Sequence, residues 1–452
     1  MSAPTLDVTI EPTESGAVVY GVLAAKTNAD EPNGQLSLVL KITNGGPGPV
    51  TVSQIVVSFI APPNVPPSSY AVNLPIALDG FVRWHFDSHF DSGGNLIAND
   101  NIFLPVPAPG SVKIEIFCAT FSDPKTVTMP LKPYASTAID GGYIFPARTD
   151  DLKDTEFWAG VSGTHLAAGD GSQLFAYDLG VLGIDPNLNV WSWGISNPDP
   201  QTNDDFRVWD KKIYAMAKGT VVAFKNDMPT NTTLGTQTPT PDPVEGNHFY
   251  IQHGPDLALY AHFQPNSLNS SFINGPNPDK TGAPVEQGDF LGIAGNSGNS
   301  SGPHLHIEVI RASAPWGGPP RPLPFRDMFV LDFNVAPSAP WPPTSAAPWS
   351  QVSAQDLPAT FSMIWPGALA FNWNSILRFI GPLAWAWIIY IGSAIIITPG
   401  GQLCPGCTSP TVVALGVVSI LLGVGGFAAR AWMSRATTRP GAPRQLNVRA
   451  DM

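Results

Sequence analysis

His304 and His306 stand two residues apart in Gly-Asn-Ser-Gly-Asn-Ser-Ser-Gly-Pro-His-Leu-His-Ile-Glu-Val, residues 295–309. The run that follows alternates apolar and polar, and a strand places residues i and i+2 on one face. Both imidazoles then point into one cleft, while Leu305 and Ile307 point into a core. The Gly/Asn/Ser lead-in is a loop by composition, so the pair stands at the mouth of the strand. Such an arrangement suits a metal ligand beside a catalytic base. A His-x-His pair also occurs on ordinary half-exposed strands, so the rest of the chain must supply its partners.

Five of the eight histidines fall after position 240. Tyr260-Ala261-His262 ends another alternating run, which begins near Tyr250. Upstream, Gly163-Thr164-His165 precedes Phe175-Ala176-Tyr177-Asp178, with Lys218-Gly219-Thr220-Val221-Val222 between the two regions. In this order the elements resemble the lysostaphin-type (LytM-like, duplicated hybrid motif) zinc endopeptidases over about residues 160–325. Gly295 to Val309 carries most of the likeness, supported by Tyr260 to His262, Ala215 to Val222 and Val285 to Gly292.

The resemblance implies roles for particular residues. His165, Asp178 and His306 match the positions that bind Zn2+. His262 and His304 match the pair that flanks the metal-bound water as catalytic residues. Three protein ligands leave one tetrahedral position open, as a catalytic zinc requires, and an imidazole is a suitable base near pH 7. His165 and Asp178 stand further apart than is usual for the family, and a further insertion, about Leu179 to Asp210, delays the strand at Lys212. Asp170, Asp204 and Asp205 compete with Asp178 as carboxylates. His253 matches a structural His-Gly turn, and Asn247 and His248 lie near the groove with no role assigned.

The elements that position these residues are short strands. The 48 prolines and 43 glycines favour strands and turns over long helices, and the chain reads as mainly β. Residues 1–135 alternate in runs such as Leu36 to Ile42 and Val50 to Ile60, indicating an immunoglobulin-like antiparallel β-sandwich that targets or spaces. Within it, His85, Asp87, His89 and Asp91 share a strand face, either a wet surface or a metal site. Residues 140–335 form the antiparallel β-sheet peptidase domain. Residues 336–374 read as a Pro-rich linker. Two apolar segments, 379–398 and 411–429, are each long enough to span a bilayer as a helix. They form a transmembrane hairpin within residues 375–430, followed by a basic tail at 431–452.

Composition narrows the function classes. Hydrophobic residues are 43% and charged residues only 13%, about half the usual charged share. Net charge is −12, with no basic run before the tail, which argues against a nucleic-acid partner. Three cysteines are too few for a disulfide framework. Cys118 reads as a buried thiol, and Cys404 and Cys407 as a pair of open chemistry. The N-terminus shows no signal peptide.

The resemblance implies a zinc metalloendopeptidase acting on peptidoglycan peptides, and the two apolar segments would anchor it in a membrane. Arginines in the tail place it, and with it the peptidase domain, in the cytoplasm by the positive-inside rule. Peptidoglycan lies on the other side, so the side of the membrane stays open. Two other readings are a catalytically silent binding module that regulates wall hydrolases, and a delivered toxin with a membrane-inserting hairpin.

Overall fold

Alternation builds the first part of the chain. Leu36, Leu38, Leu40 and Ile42 project from one face of strand Asn33–Asn44 and meet Ile55, Val57 and Phe59 and Val112, Ile114 and Ile116 in one buried cluster. The computed structural model describes residues 6–25, 33–46, 50–60, 69–72, 87–90, 96–105, 110–119, 121–135, 142–153, 155–162, 173–185, 190–196, 199–235, 241–315, 318–332, 349–352, 357–358 and 362–367. Hydrogen bonding runs unbroken through ten strands of this N-terminal part. Lys125–Pro133 pairs antiparallel with Ser111–Cys118 and parallel with Ala17–Leu23, so the sheet is not wholly antiparallel. Cys118 is a buried thiol, and burial pushes its pKa up. Asp87–Phe90 is a strand, but His85 and Asp91 lie outside the described residues.

The second part is an eleven-stranded sheet. Its centre runs Gly219–Lys225, Asn247–His253, Asp256–Phe263, Leu305–Ile310, Tyr177–Asp185 and Phe157–Ser162. One face carries Tyr177, Leu179, Tyr260, Leu305, Ile307 and Val309 into the main core. The other face carries His306 and Glu308.

Strands and contacts cross the expected boundaries in two places. Residues 336–374 are not solely a linker, because Ser350–Val352 and Ser362–Pro366 join the sheet beside Met328–Asp332 and Phe157–Ser162. Their side chains explain why. Trp349, Met363 and Trp365 bury against Phe157, Leu182, Phe329 and Leu331, and aromatic burial outweighs the turn-forming tendency of the prolines around them.

The boundary near residue 135 is also not a loose one. Leu23, Ala24 and Val39 belong to the core of the second part. Backbone bonds join Ala24 N to Leu357 O at 2.8 Å and Leu357 N to Val22 O at 2.7 Å.

No helix among the described residues is long and apolar enough to cross a membrane. Residues 379–398 and 411–429, with Cys404, Cys407 and the basic tail, lie outside the described residues.

Candidate metal centre

His306 and Glu308 lie on one face of strand Leu305–Ile310, opposite the core-facing Leu305, Ile307 and Val309. Asp178 is the register partner of His306 on the neighbouring strand, and Ala261 is its partner on the other side. Antiparallel partners share a face, which brings the Asp178 carboxylate to the imidazole. Asp178 Oδ1 stands 3.0 Å from His306 Nδ1 and 3.3 Å from His304 Nε2.

His262 reaches the same space by a different route. Strict alternation would send it to the core with Tyr260. Its φ of 68° instead reverses the alternation, so Phe263 enters the core and His262 turns to the cleft. A left-handed non-glycine residue is uncommon and often marks a functional site. The turned ring lies 4.8 Å, centroid to centroid, from His304 and 5.8 Å from His306.

Hydrogen bonds fix how the rings present their nitrogens. His262 Nδ1 donates to Ser297 O at 2.8 Å, and His304 Nδ1 donates to Gly302 O at 2.8 Å. In a neutral ring held this way, Nε2 carries the lone pair. The loop that supplies these carbonyls is itself held tightly. Ser297 Oγ donates to Phe263 O and accepts from Asn247 N, while Asn231 holds the carbonyls of Gly298 and Ser300. Gly246, at φ 66°, touches Ser297 so closely that a Cβ would fall 2.4 Å from its carbonyl carbon. The Gly/Asn/Ser run is therefore a bonded ledge with Asn296 and Ser297 fully buried.

The electrostatics favour a cation. Burial works against a charged His306, but Asp178 and Glu308 outweigh it and push its pKa up to about 10. His262 is held well below the ordinary histidine value by burial and then by its histidine neighbours, so it is a neutral base. Burial also raises the Glu245 carboxyl, whose Oε1 accepts from Tyr250 Oη at 2.6 Å.

These donors fit zinc. One nitrogen each from His262, His304 and His306 lie within 4.8 Å of one another. Two donors on a common tetrahedral zinc stand ~3.3 Å apart, close to the separations of Asp178 from His306 and His304.

Among the sequence candidates, Asp178, His262, His304 and His306 come together. His165 and Asp170 lie outside the described residues. Asp205 is occupied in capping a turn through Gln201 N and Thr202 N. Asp204 lines a separate polar cavity with Glu156 and Arg207. His253 is structural, donating to Lys218 O and accepting from Tyr260 Oη. Asn247 holds the ledge, and His248 is buried with a pKa lowered to about 4 by that burial. Sequence reading missed Glu308 and Glu245. For Glu308 the signal was present, since it continues the 304, 306 alternation on the same face.

Residues 205–316 match the profile of Peptidase family M23, a span containing all three clustered histidines. No curated protein matches the chain. Among solved structures, a zinc-containing peptidase from Vibrio cholerae is similar at 12% identity, over 50% of this chain and 81% of that one, with a TM-score of 0.16. A score that low carries no weight in the argument. The family and the donor set both imply Zn2+. Residues 205–316 are a Peptidase family M23, LytM-type domain set within a larger β-rich chain.

Proposed function

We propose that the chain is a zinc metalloendopeptidase that hydrolyses peptide bonds in the stem or cross-bridge of peptidoglycan. The observation that carries this reading is the convergence of His262, His304 and His306, with donor atoms within 4.8 Å of one another, beside the Asp178 carboxylate. In this reading Asp178 and His306 hold the metal together with His165. Bound there, zinc would lower the pKa of a water to about 7 and polarise a carbonyl.

The chain's own residues supply the rest. Neutral His262 accepts the proton of the attacking water at Nε2. His304, its Nδ1–H tied to Gly302 O, keeps Nε2 in place to steady the developing oxyanion or to pass a proton to the leaving amine. Glycine-rich turns hold both rings, so little reorganisation is needed during reaction. The segments 379–398 and 411–429 anchor the enzyme as a membrane hairpin, a reading that rests on their hydropathy alone.

Digestion of purified peptidoglycan by the full chain, read by mass spectrometry with and without a zinc chelator, tests the proposal. Chelator-sensitive release of cleaved peptides is the expected result. A folded, zinc-loaded protein that cleaves nothing would overturn it and favour a binding module.

A further inference from the structure

The face that presents His304 and His306 continues to Glu308, which is 5% exposed. A buried carboxylate needs a partner to offset its lost hydration. Yet among the described residues Glu308 Oε2 has no hydrogen-bond partner, and His306 Nε2 stands 3.9 Å from it. The same imidazole turns its other nitrogen, Nδ1, to Asp178 at 3.0 Å. The ring is thus threaded between two carboxylates, one at each nitrogen.

We infer that Glu308 is a positioning residue for the metal centre, accepting the Nε2–H of His306 and thereby committing Nδ1 to the metal. The inference rests on the reading that His306 is a ligand. An imidazole that gives one nitrogen to a metal must carry its proton on the other, and a carboxylate acceptor there fixes the tautomer and raises ligand basicity. The present separation is ~1 Å longer than a hydrogen bond, a gap that small side-chain rotations close. Neither alternative explains the placement as well. A purely structural acid would take backbone or side-chain donors on this buried oxygen, and among the described residues it has none. A fourth ligand would have its oxygen near Nδ1, whereas Glu308 lies on the far side of the ring.

The experiment measures zinc affinity of the full chain by competition with a chromophoric chelator, for wild type, Glu308→Gln and Glu308→Ala. Losses of zinc affinity of about 10-fold to 100-fold are expected, larger for Ala than for Gln, since the amide still accepts a hydrogen bond. The visible spectrum of the cobalt-substituted protein should shift in both variants. Unchanged affinity and spectrum in folded variants would overturn the inference.

If the variants fail to fold, the wild-type protein decides. Its zinc form should show a slowly exchanging His306 Nε2–H proton by NMR, and the absence of that signal would overturn the inference. Zinc affinity needs no peptidoglycan, so Glu308-dependent binding without cleavage would leave this inference standing while the proposed substrate fell.

Discussion

His262 shows how one backbone angle can make a site. Its left-handed φ turns an imidazole out of the core and into the cleft beside His304. If it acts as base rather than ligand, His262→Ala should retain zinc and lower turnover by about 10²- to 10⁴-fold. Loss of zinc instead would show that the three clustered histidines hold the metal. This reading was half legible. Tyr-x-His marked His262 as functional, but alternation alone would have pointed its ring into the core. The His-x-His pair was fully legible, because strand periodicity and loop composition agreed, whereas Glu308 was passed over as one more polar strand residue.

A second histidine at this scale gives a pH prediction. His253 is fully buried, and burial lowers its pKa from 6.5 to about 4. Its folded pKa lies below the unfolded value, so the unfolded chain takes up the proton first. Stability from this site is complete above pH 6.5 and falls as pH drops toward 4, by up to about 3 kcal/mol. Urea midpoints at pH 7 and 4.5 should therefore fall further for wild type than for His253→Gln. Equal falls would contradict the assignment.

The strand that carries the site is anchored at its far end. Arg311, directly after Leu305–Ile310, gives Nε to Asp256 Oδ1 at 2.5 Å and an Nη to Glu14 Oε1 at 2.7 Å. Asp256 also accepts from Tyr134 Oη at 2.7 Å. Strands from both ends of the chain's β-rich part thus meet at one buried carboxylate. Removing it leaves Tyr134 without its acceptor and Arg311 with Glu14 alone, and a buried polar group left unsatisfied costs about 1–3 kcal/mol. Asp256→Ala should show that loss in chemical denaturation. Glu14→Ala removes a half-buried carboxylate whose partners Arg311 and Lys132 both reach water, so it should lose less, about 1 kcal/mol. Equal effects would mean that the network is not centred on Asp256. Nothing in the sequence announces this junction, since Glu14 and Arg311 are 297 residues apart and each looks like an ordinary surface charge.

At the scale of the molecule, the peptidase fold does not end where its motifs end. The family match stops at residue 316, yet Met328–Asp332, Ser350–Val352 and Ser362–Pro366 extend the sheet. The β-rich class was plain from proline, glycine and alternation. These last strands were not, because three- and five-residue strands set among prolines carry too little periodicity to distinguish them from a linker. Their tryptophans are the physical clue, since Trp349 and Trp365 cover Phe157 and Phe329. A fragment of residues 140–335 would uncover this cluster and also lose the docked residues Leu23, Ala24 and Val39. Deleting a buried tryptophan typically costs about 3–5 kcal/mol, so the fragment should unfold at much lower temperature than residues 1–368, or aggregate through the exposed aromatic face. Calorimetry of the two fragments side by side is the check. Equal melting temperatures would show that the outer strands and the N-terminal part are accessories to the peptidase core. A large deficit would make them part of what holds the histidine strand in place.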